Sequence, residues 1–213
     1  SQQRVREALQ AAEGYLSGEE LSRGIGITRA AVWKAVENLR RQGYDIEART
    51  GKGYRLRQSP DLLRRETVEP YLAAQRENWQ VLETVDSTNS VCRRLALEGA
   101  PDGTVVLADC QTAGRGRMSR SFQSPRDKGI YLTVLLQPDM DVERMLPVTA
   151  MAGVAVCRAV EQVCGVRPGL KWPNDPVLEG KKLCGILTEL SLEADTGRLE
   201  YLVVGIGLNV LHT

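Results

Sequence analysis

At 213 residues, with 42% hydrophobic and 26% charged side chains, the chain has room for one large or two modest domains and the balance of a folded protein. A net charge of +1 argues against indiscriminate polyanion binding by the whole molecule. Five cysteines without a CxxC pair read as reduced core residues of a cytosolic protein, and a single histidine, His212, speaks against a Ser-His-Asp triad or a multi-histidine zinc site. With no uninterrupted apolar run of ~18 residues and no secretory signal, neither a membrane span nor export is expected.

The first 57 residues hold 11 Lys or Arg against 7 Asp or Glu, a local basic excess. Ser17 and Glu20 fit a capping box before a short helix, "GIGIT" breaks that helix, and Thr28 can cap the next. In the second helix Val32, Val36 and Leu39 recur at i, i+4 and i+7 and bury one stripe. Ala30, Lys34, Glu37 and Arg41 lie opposite, with Arg29 near the start, a mostly basic face suited to a recognition helix in the major groove. "YDIEA" and "GYRL" then flank "RTGKG", a basic hairpin tip that places Lys52 against phosphate. This order predicts a winged helix-turn-helix DNA-binding domain over residues 1–57. A helical domain with merely solvated charges is the weaker alternative. Residues 58–65 read as a linker.

From residue 66 to 213 helix and strand signals alternate, and an α+β domain with a mixed sheet follows. "TVEPYLAA" and "SVCRRLALEGA" read as helices, as does the long apolar "MLPVTAMAGVAVCRAVEQVC", whose expected core stripe is Ala152, Ala155, Val156, Ala159 and Val163. "TVVLAD", "GIYLTVLLQP", "LKWP", "KLCGILTELSL" and "LEYLVVGIGLNV" read as strands. Between two of them "GRGRMSR" sets Arg115, Arg117 and Arg120 among Gly114 and Gly116. Planar donors on a bare backbone suit carboxylate and phosphate. "KWPND" puts Lys171 at a strand end before a turn. "DSTN" places Ser87, Thr88 and Asn89 at a helix start, and "GIGLN" is a glycine-spaced strand ending in Asn209. Each alone is a weak signal.

Together and in order, "AAVWK", "STN", "Q-x-x-G-R-G-R", "KWPND", "KLCGIL" and "GIGLN" resemble the biotin protein ligase family, in its bifunctional bacterial form that also represses the biotin operon. The resemblance covers nearly the whole chain. It implies a cytoplasmic enzyme that converts biotin and ATP, with Mg2+, to biotinyl-5′-AMP and pyrophosphate. The biotin then passes to a lysine of a carrier domain such as that of acetyl-CoA carboxylase. It also implies an adenylate-loaded homodimer that binds operator DNA, for which Thr28, Arg29, Lys34, Arg41 and Lys52 are the contact candidates. Ser87, Thr88, Asn89 and Gln111 would line the biotin site, with Arg115, Gly116 and Arg117 closing over its carboxylate and the phosphates. Lys171 would bridge carboxylate and α-phosphate, making Lys171, Arg117 and Arg115 the catalytic set. Arg117, Arg120, Phe122, Asn174 and Asn209 would serve the nucleotide.

The sequence departs from the family pattern at Met118-Ser119, where Arg-Gly is usual, and at Phe122, where tryptophan is usual. Family chains also run on into a small SH3-like barrel, which this chain is expected to lack, leaving its ATP side incomplete. Two other functions fit the same motifs: a winged-helix regulator that senses biotin or its adenylate without turnover, and another acyl-adenylating ligase, such as a lipoate ligase.

Overall fold

The computed structural model describes residues 2–59, 63–72 and 77–211; His212, the linker positions 60–62 and the end of the helix expected over 67–74 lie outside them. The chain divides into two compact units, Ser1–Asp61 and Leu62–Thr213.

The first unit opens with a helix that the sequence reading missed, α1 (Gln2–Ala11), whose Val5 and Leu9, one turn apart, are buried. The capping box forms ahead of α2 (Gly18–Ile25): the Ser17 hydroxyl accepts from the Glu20 N–H and the Glu20 carboxylate accepts from the Ser17 N–H. Such a cap is worth about 1 kcal/mol. Gly26, left-handed at φ 73°, ends the helix. Thr28 caps α3 (Arg29–Arg41) through the Ala31 N–H, and α3 buries Val32, Ala35, Val36 and Leu39. Antiparallel strands β1 (Asp45–Arg49) and β2 (Gly53–Gln58) complete the winged helix.

The second unit begins with the single turn α4 (Arg65–Val68) and a 3-10 turn over Glu69–Tyr71. Its main sheet holds β3 (Trp79–Val85), β4 (Val105–Gln111), β5 (Gly129–Leu136), β9 (Cys184–Leu192) and β10 (Leu199–Asn209) in the order β3-β4-β5-β10-β9. Only β3 and β4 run parallel, so the sheet is mixed. A smaller sheet joins β6 (Gly169–Lys171), β7 (Asp175–Leu178) and β8 (Lys181–Lys182).

Helix α5 (Thr88–Leu97) covers one face of the main sheet, with Val91 and Cys92 packed on Val106, Leu135 and Val203. On the other face, after the turn α6 (Val142–Met145), the long helix α7 (Val148–Cys164) meets Cys184, Ile186, Leu202 and Val204. Here the expected stripe is only half right. Ala152 and Val156 join that cluster and Gly153 is buried, but Ala155 and Ala159 are exposed and Val163 is 83% exposed. A helix apolar almost all round gives the sequence no preferred face, and the narrow β9–β10 end of the sheet selects a different one. Counted as one stretch, Val142–Cys164 spans 23 residues and contains an 18-residue window with a mean hydropathy of 1.2, long and apolar enough by composition to cross a membrane, although Arg158 and Glu161 lie within the stretch.

Candidate active site and nucleic-acid interface

The N-terminus of α5, the loop after β4 and the glycines of β9 and β10 enclose a cleft. Ser87, Thr88, Asn89, Gln111, Arg115, Gly116, Arg117, Phe122 and Asn174 all line it, joined by Lys182, Gly185, Ile186 and Leu187 and by Gly205–Gly207. Two kinds of wall result.

The first wall is a buried hydrogen-bonded chain. Gln111 Oε1 accepts from the Thr88 N–H (2.8 Å) and hydroxyl (3.1 Å), and Gln111 Nε2 donates to Ser124 Oγ (2.8 Å). Thr133 Oγ1, fully buried on β5, lies 2.8 Å from Thr88 Oγ1 and 2.7 Å from Asn89 Oδ1. Asn89 Nδ2 then donates to Glu189 Oε2 at 2.7 Å and to the Leu187 carbonyl. The strand register explains the junction: Thr133 pairs with Gly205, and a Cβ on Gly205 would overlap the Asn89 amide. Likewise Gly207 pairs with Gly185, and a Cβ on Gly207 would overlap the Phe122 ring. The bare backbone of "GIGLN" thus first admits two protein side chains, an amide and an aromatic ring, to the floor of the cleft.

The second wall carries charge. Arg115 Nη2 donates to Glu189 Oε2 (3.1 Å), a carboxylate that Arg93 also approaches at 3.4 Å. Arg117 Nη1 donates to Asn174 Oδ1 (2.9 Å), pinning the loop to the turn after β6. Lys182 Nζ meets Asp175 Oδ1 at 2.9 Å. These side chains are partly exposed, so their present partners are exchangeable for an incoming anion.

The loop is a small hairpin. Gln111 bridges Ser124, Arg115 bridges Ser121, and a Cβ on Gly114 would overlap the Phe122 carbonyl. Gly116, by contrast, has ordinary space, so the bare backbone at 114 serves the loop's own closure. At the tip Met118 and Ser119 hold φ of 55° and 58°, a region that favours glycine.

Three expected site residues are not brought to the cleft. Lys171 is exposed on β6 and is not among its lining residues, because the turn after β6 returns the chain so that β8 presents Lys182 there instead. Arg120 is exposed, its carbonyl accepting from the Gly116 N–H. Asn209 donates its amide to the Lys182 carbonyl (3.1 Å), bracing the β8–β9 connection. Conversely, Lys182, Thr133 and Glu189 went unnoticed in the sequence. Only Lys182 carried a signal, since it opens "KLCGIL".

Burial pushes the thiol of Cys184, in the core beneath the cleft, up to about 12, which leaves it unreactive. Burial also raises the Asp109 carboxyl, despite Arg126 at 2.9 Å. Among the described residues no group of three or more His, Cys, Asp or Glu side chains could hold a metal ion.

In the first unit Arg29, Lys34, Arg41 and Lys52 are all exposed, and the Thr28 hydroxyl is committed to its cap. Beneath the hairpin the Tyr15 ring lies 6.0 Å from Arg49 and Arg55 and 5.9 Å from Lys52. A hydrogen bond to Glu47 raises the Tyr15 phenol and lowers the Glu47 carboxyl.

Residues 81–209 match the biotin/lipoate A/B protein ligase family, and residues 1–55 match a helix-turn-helix domain. The chain is 40% identical over 203 residues to the bifunctional ligase/repressor BirA of Bacillus spizizenii, covering 94% of this chain and 62% of that protein. It is 32% identical over 203 residues to BirA of Escherichia coli, again with 62% of that protein spanned. A biotin protein ligase from Aquifex aeolicus, solved with biotin and ATP, superposes with a TM-score of 0.53 at 36% identity, over 64% of this chain and 54% of that one. The second unit's mixed sheet is therefore that of a known group: the chain belongs to the biotin/lipoate A/B protein ligase family.

Proposed function

We propose that this chain catalyses biotin adenylation and transfer, and that its first unit binds operator DNA as a biotin-responsive repressor. The observation that carries the catalytic reading is the junction of the two walls. A buried chain of amide and hydroxyl groups, able to grip a ureido ring, ends beside three cations able to hold a carboxylate and a phosphate. The ligase/repressor relatives support the pairing of the two activities.

In the first step a biotin carboxylate oxygen bonds to the α-phosphorus of ATP, and the bond to the bridging oxygen of the β-phosphate breaks, releasing pyrophosphate. Two anions have to meet, so the demand is for fixed positive charge rather than for a base. Arg115 and Arg117 meet that demand from the loop and Lys182 from β8. Lys182, which lines the cleft where Lys171 does not, takes the role of bridging carboxylate and α-phosphate in this reading. Phe122, set on Gly185 and Gly207, offers adenine a ring face, and Asn174 orients Arg117. Asn209 acts by holding the Lys182 backbone. Magnesium, if it enters with ATP, would be held by the nucleotide's phosphates and not by a protein cage, and would supply positive charge to the leaving pyrophosphate. In the second step a carrier-domain lysine, as the neutral amine, bonds to the acyl carbon, AMP leaves, and the amine proton is lost. The adenylate-loaded chain acts in the cytoplasm as a homodimer on DNA.

Biotin-dependent exchange of labelled pyrophosphate into ATP tests the reading. Exchange that requires biotin and is not supported by lipoate is expected. No exchange, or equal exchange with lipoate, would overturn it.

A further inference from the structure

The expected DNA-binding face of α3 is polar and mostly basic, yet one residue on its flank is neither. Trp33 is 59% exposed, the one large hydrophobic side chain so exposed among the described residues of the first unit. It does not point away from the rest of the DNA-binding surface. Together with Arg29 and Ala30 it forms one side of an open groove whose other side is the hairpin residues Arg49, Thr50 and Gly51. A lone exposed indole is not by itself unusual, but this one lines a groove, where covering it would bury apolar area favourably.

The groove's charge names the partner's class. Arg29 stands on one side and Arg49 on the other, with Lys52 exposed at the hairpin tip. The acid on the groove, Glu19, is held by Arg23 at 2.7 Å. A partner that is anionic at its edges and apolar between them fits, and the sugar–phosphate strand of DNA has that alternation. If α3 enters a major groove and the hairpin meets the adjoining minor groove, the strand dividing the two grooves has to pass between helix and hairpin. That is where Trp33 stands.

We infer that Trp33 packs against the deoxyribose of a DNA strand seated between α3 and the β1–β2 hairpin, and so contributes affinity irrespective of sequence. The inference rests on the DNA-binding reading of the first unit. Arg29 and Arg49 flank the strand through its phosphates, and Trp33 fills the apolar space between them.

The test measures binding of the full chain, with biotin and ATP present, to two duplexes of unrelated sequence over a range of salt. Trp33→Ala is expected to weaken both by the same factor, on the order of tenfold for losing part of one buried aromatic side chain. Its salt dependence should stay unchanged, because no charge is removed, whereas Arg49→Ala should flatten the salt dependence. Trp33→Phe should fall between, and helix content by circular dichroism should match the parent for all three. Replacing thymine by uracil should alter no affinity. An unchanged affinity for Trp33→Ala overturns the inference alone, as does a loss confined to one duplex or a thymine-methyl effect that disappears with Trp33. If the parent chain binds neither duplex, the DNA-binding reading falls and this inference with it.

Discussion

The two walls of the cleft solve different problems with different physics. The wall made by Thr88, Asn89, Gln111, Ser124 and Thr133 is mostly buried, and its polar groups satisfy one another across two strands, a loop and a helix N-terminus. The wall made by Arg115, Arg117 and Lys182 is half exposed and held by partners that an anionic ligand can replace. A buried network loses heavily when one member is removed, because the others are left without partners. A solvated ion pair loses little stability, yet the same cation in a loaded site acts on charge that develops in the reaction. Under the proposed function, the contrast assigns stability and recognition to the first wall and chemistry to the second.

The largest effect should come from Lys182. Lys182→Ala is expected to slow adenylation on the order of a hundredfold or more, as for other preorganised charges, with the melting temperature essentially unchanged. Lys171→Ala, at an exposed position outside the cleft, should slow it by no more than about threefold. Rate measurements under single-turnover conditions check both, and a reversal of the two values would break the assignment of the charged wall.

Next in size is Thr133→Val, which keeps the shape and removes the hydroxyl shared by Thr88 and Asn89. Denaturant unfolding should show a loss of about 1–3 kcal/mol, the usual cost of stranding buried polar groups. A loss below about 0.5 kcal/mol would show that the network is not what holds this wall.

Glu189 touches both walls, so its replacement sharpens the contrast. Glu189→Gln keeps an acceptor for the Asn89 amide but removes the negative charge that occupies Arg115. Biotin binding should tighten by about threefold, in line with a partly exposed ion pair, with little change in stability. A stability loss as large as that of Thr133→Val, with weakened biotin binding, would assign Glu189 to the buried wall.

The smallest effect concerns Asp109, a carboxylate outside the cleft where burial prevails over pairing. Its pKa is raised above 3.8, so the folded state holds the proton more tightly than the unfolded one. Its contribution to stability is therefore greatest below pH 3.8 and is lost as pH rises through the raised value. A pH series of melting curves should show this decline in the parent relative to Asp109→Asn.

Much of this was legible in the sequence because local chemistry announces itself. Caps at Ser17 and Thr28 mark helix starts by the side chains they need. The arginine–glycine loop, Ser87–Asn89 and Gln111 are weak signals singly and could be placed because they fall, in order, into a pattern that resembles a known family. What was not legible depends on tertiary register. Lys171 and Lys182 are equivalent in type, and only the folding of β6 to β8 decides which meets the cleft. Thr133 and Glu189 look like ordinary strand residues until β5, β9 and α5 converge. The α7 stripe held only at Ala152 and Val156 because a helix with apolar residues on every side carries no phase, and α1 was overlooked because Val5 and Leu9 are too few to stand out from a polar segment.

The central claim, that one wall recognises and the other reacts, is tested most directly by measuring biotin affinity and adenylation rate side by side in Thr133→Val and Lys182→Ala. The account predicts crossed results. Thr133→Val should lose most of its biotin affinity while adenylating at a near-parental rate once saturated, and Lys182→Ala should bind biotin nearly as the parent does while adenylation collapses. If both variants lose affinity and rate in the same proportion, the cleft works as a single unit and the division drawn between its walls is wrong.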